Sequence, residues 1–507
     1  MPLRWRDPAR EWLPAAVVGL LPVVWFPWMV DSFILPRAAL AETGAGLLVA
    51  AGAVWGRSRT GPLGWSLLAC SVVAGLAAAF AADPLVSLVG AYSRYESLPL
   101  RLAYCGLCWG ALRLSPPASA GPEAAARWRG RIEMLFLAGC GVAAGEAILQ
   151  TLLGLLARPD GNLGQPDLLG VLLAMALPLA VVRVGRSWRW APAVALLTAG
   201  LALSTSRAGW LGAVAGLAVC LTLVAWRRKR PLAAWTAAGA GVVLAGAVAA
   251  LLLTPLRLLN QDTGAARLGV WRDGLRMIAA RPWLGWGEEG VGLHFGAFQT
   301  ANWEPGDQFD RLHSLPLDLL ATQGALGLAA CTVLFCLLWR HVLRMPGAEA
   351  LAGALAAYLA WSLLDFDWVP ATAPLWLLAG AGAAGTLPEL GERVRRTGAV
   401  IAGLAALFLG LVCAIPPVVA DTAAYAGDTR LAAGVDPLQA QYHAALGTPG
   451  QLAAAVRLGS DDPKVWVELG KDEADKGKVA AARRSYEGAL AIYPYDRVAR
   501  AALRDLP

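Results

Sequence analysis

A chain of 507 residues with 57% apolar and only 16% charged side chains, and a mean hydropathy of +0.53, is too poor in charge for a soluble globular protein, where roughly 25% is usual. The formal net charge of +7 does not point to nucleic acid, because the basic residues fall mostly in short loops between apolar runs, where they report topology. The composition is that of an integral membrane protein, and its 22 tryptophans suit two interfacial belts.

A membrane span needs about 20 predominantly apolar residues. On that measure the runs 12–30, 38–55, 63–82, 99–113, 131–153, 168–185, 190–205, 207–226, 232–253, 313–338, 349–366, 370–387 and 398–420 are expected spans. Arg4, Arg6 and Arg10 precede the first run, no A-x-A-like cleavage site follows it, and it reads as a retained helix. Basic residues recur in alternate loops: Arg57 and Arg59; Arg113, Arg127, Arg129 and Arg131; Arg183, Arg186 and Arg189; Arg227, Arg228, Lys229 and Arg230; Arg340 and Arg344; Arg393, Arg395 and Arg396. The positive-inside rule makes that side cytoplasmic, with the N-terminus. The loop 254–312 and a C-terminal tail from about Asp421 are then extracytoplasmic. The expected fold is all-α: a polytopic transmembrane helical bundle of about 12–13 spans over 1–420, followed by a helical domain over 421–507.

That tail reads Trp466-Val-Glu-Leu469-Gly470, then Ala474, Gly477, Ala481, Tyr486, Ala489 and Pro494. The pattern is similar to a tetratricopeptide repeat, with a degenerate preceding unit over 436–458; a plain helical hairpin is the alternative. The eight cysteines all lie in apolar runs, including Cys105 and Cys108 at redox-motif spacing, and are expected to pack as small hydrophobes.

Candidate functional residues collect on the extracytoplasmic side. Arg207 stands in Ser204-Thr-Ser206-Arg207-Ala-Gly209, where positive charge is disfavoured by topology and where a Ser/Thr turn adds donors for an anion. Arg267 begins an amphipathic helix over 267–280, in which Trp271, Leu275 and Ile278 recur at helical spacing and could lie on the membrane plane. Arg272 and Arg276 in the same segment suit headgroup or substrate phosphates. His313 opens the tenth run; a histidine there serves either as a cap or as a base near neutral pH. Arg94 and Arg158 sit in two earlier outward loops with turn glycines, Gly90 and Gly161. Asp365-Phe-Asp367-Trp368 offers two carboxylates, but no cluster suggests a metal, and neither a metal nor another cofactor is expected.

Taken in order, Ser206-Arg207-Ala-Gly-Trp-Leu-Gly212, Arg267-x3-Trp271 leading to Arg281-Pro282-x2-Gly285-x-Gly287, and His313 leading to Gly324-x2-Gly327 resemble the O-antigen ligase family. Its superfamily also holds O-antigen polymerases and membrane protein O-glycosyltransferases, and the likeness extends from about Arg94 to Gly327. It implies a GT-C-like bundle in the cytoplasmic (inner) membrane. It further implies metal-independent, inverting transfer from a polyprenyl-diphosphate-linked glycan to a lipid, polysaccharide or protein acceptor. By the same resemblance Arg207 and Arg267 hold the diphosphate and His313 activates the acceptor hydroxyl. Arg94, Arg158, Arg272 and Arg276 are expected around the donor, and the tail is a candidate site for a protein partner. A lipid-linked glycan transporter is the reading from another class, disfavoured by the scarcity of ionisable residues within spans, Glu146 being the clearest.

Overall fold

The structure is a computed structural model that describes residues 8–56, 61–227, 265–303, 308–384 and 396–507. The expected span 232–253, the first part of the loop 254–312, and the basic residues Arg4, Arg6, Arg57, Arg59, Arg228, Lys229, Arg230, Arg393 and Arg395 lie outside them. Among the described residues there are helices and no strands. The membrane portion comprises α1 (Pro8–Leu20), α2 (Ile34–Trp55), α3 (Gly61–Ala79), the short α4 (Pro84–Val89), α5 (Leu98–Leu114), α6 (Pro122–Leu152), α7 (Pro166–Val184), α8 (Ala191–Ser204) and α9 (Arg207–Arg227). After the undescribed segment come α10 (Ala265–Ala280), α11 (Gly290–His294), α12 (Leu315–Arg344), α13 (Glu349–Ser362), α14 (Val369–Gly382) and α15 (Arg396–Tyr425).

Twelve of the thirteen expected runs therefore coincide with helices. Seven of these helices are long and apolar enough to cross a bilayer, namely α2, α3, α6, α7, α9, α12 and α15. The shorter apolar ones are central or terminal: every residue of α14 is buried, so protein rather than lipid surrounds it. The first run departs from expectation, since its helix ends at Leu20 and residues 21–33 form turns. Arg37 explains the departure. It is wholly buried, and its guanidinium donates to Leu21 O (2.9 Å), Pro22 O (3.2 Å) and Asn162 O (2.9 Å). Those carbonyls, freed from helix, find their donor in one cation.

Close backbone approach joins the helices. A Cβ added at Gly212 or Gly216 of α9 would stand 2.7 and 2.6 Å from Ala357 O and Gly353 O of α13. Small residues on both helices permit that approach, the usual means of helix association where lipid gives no hydrophobic driving force. The outer side of α15 instead presents Ile401, Leu404, Phe408 and Ile415, each more than half exposed, as expected of a lipid-facing surface. All eight cysteines are free.

The tail forms α16 (Thr429–Val435), α17 (Ala440–Leu446), α18 (Pro449–Arg457), α19 (Pro463–Asp475), α20 (Val479–Ile492) and α21 (Arg497–Asp505). Helices α19 and α20 form a close pair in which Gly470 lies under the Tyr486 ring and Gly488 under Trp466, so the tryptophan, glycine and tyrosine of the repeat-like pattern are packing positions. The array rests on the loops of the membrane portion. Asp421, fully buried, accepts from Asp31 N (2.9 Å), the Tyr92 hydroxyl (2.6 Å) and the Tyr442 hydroxyl (3.1 Å), and Gln308 Nε2 donates to Asp461 O (2.8 Å).

Candidate active site

The loops that carry the candidate residues meet at one end of the bundle, the same end that the tail covers. Their backbones are unusual. Among the described residues, the non-glycine positions with positive φ are Ser93, Tyr95, Asn162, Thr205, Glu289 and His313, and every one belongs to these loops. L-residues enter that region at a steric cost, and such positions concentrate where a site holds its geometry against local preference.

The glycine motifs build the scaffold. Gly324 interrupts α12 with φ 66° and ψ −166°. The break is bridged by the preceding loop: Trp286 N donates to Ala321 O (2.7 Å) and Gly287 N to Thr322 O (2.9 Å), while Ala325 N and Leu326 N donate to Pro282 O (2.8 Å) and Trp283 O (3.2 Å). Peptide groups that a broken membrane helix exposes are thus re-paired. A Cβ at Gly324 would lie 2.2 Å from the Trp283 carbonyl carbon, so only glycine fits, and the Arg-Pro-x2-Gly-x-Gly and Gly-x2-Gly motifs are two halves of one joint.

Above this joint stands His313, partly buried, at φ 52°. Its ring meets Phe366 edge-on, with centroids 5.3 Å apart. Arg94 covers the same aromatic pair, 4.8 Å from Phe366 and 4.2 Å from Trp368, and its Nε donates to Asp310 at 2.5 Å. Arg267, at the start of α10, donates to Leu364 O (3.0 Å), while Trp271 Nε1 donates to Leu312 O (2.8 Å). Leu315 N donates to Asp365 O (3.0 Å), tying the start of α12 to the 363–368 loop. Burial, and then the charges of Arg267 and Arg94 against the opposing pull of Asp310 and Asp167, hold the His313 imidazolium pKa down at about 4. Asp310 is lowered too: against the cost of burial, the Arg94 guanidinium keeps its carboxyl below the usual range.

Arg158 and Arg207 form the neighbouring group. Arg158 Nε donates to Thr205 Oγ1 (2.8 Å) and its Nη2 faces Asp167 at 3.5 Å. Arg207, exposed, opens α9 two residues from that threonine, behind a cap in which Ser206 Oγ accepts from Gly209 N (3.0 Å). Asp167 acts electrostatically on both His313 and Asp365, so the two groups share one electrostatic environment. Arg94, Arg158, Arg267 and His313 are accordingly linked through these contacts and Asp167, and Arg207 begins the helix two residues after the threonine that Arg158 holds.

Arg272 and Arg276 are not part of that gathering. At about 100° per residue they fall across α10 from Arg267. There Arg272 donates to Thr300 Oγ1 (2.8 Å), and Arg272 and Arg276 face Asp273 at 3.7 and 3.5 Å. Asp273 is the organising residue of that side. It is fully buried and accepts from Thr300 N (2.9 Å) and Trp303 Nε1 (2.8 Å). The inward stripe of α10 is consequently Val270, Asp273 and Met277, whereas Leu275 of the expected apolar stripe is exposed. The helix packs onto the loop that follows it because three donors there need an acceptor.

Beneath the centre lies a charge network that the sequence did not disclose. Arg101, on α5, pairs with Asp367 and with Glu288 (3.1 Å), and Glu288 Oε1 accepts from Gln323 Nε2 (2.7 Å). Arg311 pairs with Glu289 at 2.6 Å, both buried; burial holds the Glu289 carboxyl at about 8 despite that partner. The network borders a pocket that reaches Cys70, Tyr104, Leu319 and Trp376. Glu288 and Glu289 adjoin Gly287 in sequence, and Asp367 lies in the paired-carboxylate motif. Those placements were the available signals; Arg101, a lone cation inside an expected span, was the missed one. Among the described residues no group of histidine, cysteine, aspartate and glutamate could hold a metal ion.

The fold and site together define a polytopic helical membrane protein whose loops assemble a cationic, histidine-bearing centre at one end of the bundle. Residues 192–332 match the family described as O-antigen ligase, a stretch that includes Arg207, Arg267 and His313. With the membrane helices, the match supports a membrane function of the O-antigen ligase and polymerase kind, which implies a glycosyltransferase-like activity. Arg94 and Arg158 lie outside the matched stretch. No curated protein matches the chain.

Proposed function

We propose that the protein transfers a glycan from a polyprenyl diphosphate to an acceptor on the outer face of the cytoplasmic membrane, as an O-antigen ligase does. The acceptor oxygen attacks the anomeric carbon, and the bond from that carbon to the diphosphate oxygen breaks with its electron pair staying on the diphosphate. His313 takes the hydroxyl proton. Charge therefore grows on the leaving diphosphate, and Arg207 and Arg267, with Arg94 and Arg158 nearby, stabilise it. Fixed cationic donors at such a position are usually the largest single contribution to the rate, and the planar guanidinium suits phosphate oxygens better than an ammonium. Arg272 and Arg276 stand across α10 and serve the glycan or the lipid headgroups at its exposed side. A single displacement inverts the anomeric centre, and no metal takes part.

One observation carries this reading: Arg267 and Arg94 both act electrostatically on His313. Burial is the larger cause that keeps the imidazole neutral, and the arginine charges add to it; a donor diphosphate drawn to these arginines would neutralise that second contribution. Donor binding would thus make His313 a stronger base. We assign residues 1–420 to the transferase and 421–507 to an extracytoplasmic helical domain of tetratricopeptide type. Contact of that domain with the site loops favours a role beside the substrates, and a polysaccharide polymerase or protein O-glycosyltransferase differs only in the acceptor taken there.

The test is transfer by purified protein in lipid nanodiscs with a polyprenyl-diphosphate oligosaccharide and candidate acceptors, following release of polyprenyl diphosphate. Arg207→Ala, Arg267→Ala and His313→Ala should each lower turnover by roughly 10²-fold or more, with inverted product. Full activity in all three variants, or retained anomeric configuration, overturns the reading.

A further inference from the structure

Between the tail and the first outer loop the structure holds a second, shallow cleft, lined by Val86 and residues 89–92 on one side and by 438–441 and 458–461 on the other. The contact that closes its base is tight: a Cβ on Gly459 would stand 2.2 Å from Val86 Cγ2. Gln439 is buried with its Nε2 near Gly90 O (3.5 Å), Ser460 is buried, and Gln441 is exposed at the rim. Among the described residues no lysine, arginine or histidine lines the cleft, and Asp461 does. An anionic ligand such as a phosphate or a lipid headgroup is therefore disfavoured there. Two amides, a hydroxyl and a carboxylate provide donors and acceptors for a neutral ligand rich in hydroxyl groups.

The cleft adjoins the centre described above. Gln308 donates to Asp461 O at 2.8 Å, and two residues on, Asp310 accepts from Arg94 at 2.5 Å. Burial and the nearby Asp310 charge raise the Asp461 carboxyl to about 6, which keeps it able to donate as well as accept in mildly acidic conditions.

From this arrangement we infer that the cleft between the tail and the 86–92 loop binds neutral sugar units of a glycan chain, through Gln439, Gln441, Ser460 and Asp461, while the diphosphate end lies among the arginines. The inference rests on the proposed function for the identity of the second end and on the cleft's own chemistry for the first. Glycan carried by the donor and glycan carried by a saccharide acceptor offer the same hydroxyl groups. The assay must therefore distinguish them.

The experiment uses full-length protein in nanodiscs and, as probe, the oligosaccharide released from the lipid-linked donor by mild acid, which has neither lipid nor diphosphate. Gln441→Ala, at an exposed position, and the isosteric Asp461→Asn should each weaken probe binding by about tenfold, as expected for loss of one or two hydrogen bonds. KM should rise by a similar factor for the donor if the donor glycan occupies the cleft, or for the acceptor if the acceptor glycan does, with kcat within about twofold. Probe binding and both KM values unchanged in both variants would overturn the inference, as would protection of the cleft by an acceptor peptide but not by the saccharide. Should the wild-type protein show no transfer, the proposed function fails alone, because the probe-binding arm needs no transfer.

Discussion

Lowering the pH should separate two midpoints for His313, one in the free protein and one in its donor complex. The imidazolium is held at about 4 by burial and by Arg267 and Arg94. Against an ordinary value near 6.5, and at roughly 1.36 kcal/mol per pH unit, its protonated form is disfavoured by about 3 kcal/mol. The profile of kcat/KM reports the free protein and that of kcat the donor complex. In the free protein the base stays neutral down to about pH 5, so kcat/KM should be flat from pH 8 to 5 and fall tenfold per unit only near 4. A bound diphosphate cancels part of the arginine contribution, so the kcat midpoint should move up toward 6.5. The stability sign runs the same way. A depressed histidine leaves the unfolded chain binding the proton first, so stability contributed by this site is complete above about 6.5 and is lost as pH falls toward 4. Initial rates across pH 4 to 9, at saturating and limiting donor, measure both midpoints. Coincident midpoints near 6.5, or an unchanged profile in His313→Gln, would refute the reasoning.

Arg267→Lys keeps the charge but loses the planar fork; kcat should fall by about tenfold or more while the pH midpoint of kcat/KM stays near 4, measured by the same rates. Gly324→Ala places a Cβ 2.2 Å from the Trp283 carbonyl carbon at a positive φ; it should destabilise the fold by more than about 2 kcal/mol, read as a lower thermal midpoint in detergent. Arg311→Met leaves Glu289 buried without its cation and should cost about 3–5 kcal/mol, whereas Arg311→Met with Glu289→Leu should recover most of that loss. Thermal unfolding of the two variants side by side decides the point.

The apolar runs disclosed the helices because the bilayer demands length and low charge, a constraint that acts on local sequence. It did not disclose that the helix of the first run stops at Leu20, where Arg37, 16 residues beyond Leu21, offers its guanidinium to the Leu21 and Pro22 carbonyls. The motif glycines were visible as motifs, but their reason was not: Gly324 meets the backbone of Trp283 and Leu284, and Gly285 that of Ala321 and Thr322, only after α12 breaks. Arg207 stood out as a cation where the positive-inside rule disfavours one, Arg267 as the start of an amphipathic segment, and His313 as the histidine at the start of an apolar run. Arg272 and Arg276 share their segment with Arg267 but not its side of the helix, and the fold turns them toward Asp273. The pairing of Arg101 with Asp367 and Glu288 spans 266 and 187 positions, a distance over which composition and periodicity carry no signal.

The most direct measurement compares donor binding with turnover in His313→Ala, Arg207→Ala and Arg267→Ala, using a fluorescent polyprenyl-diphosphate oligosaccharide in nanodiscs. The account predicts that His313→Ala binds the donor within a few-fold of wild type and yet fails to transfer it, while both arginine variants lose affinity by tenfold or more. Donor binding lost in His313→Ala and retained in the arginine variants would contradict it.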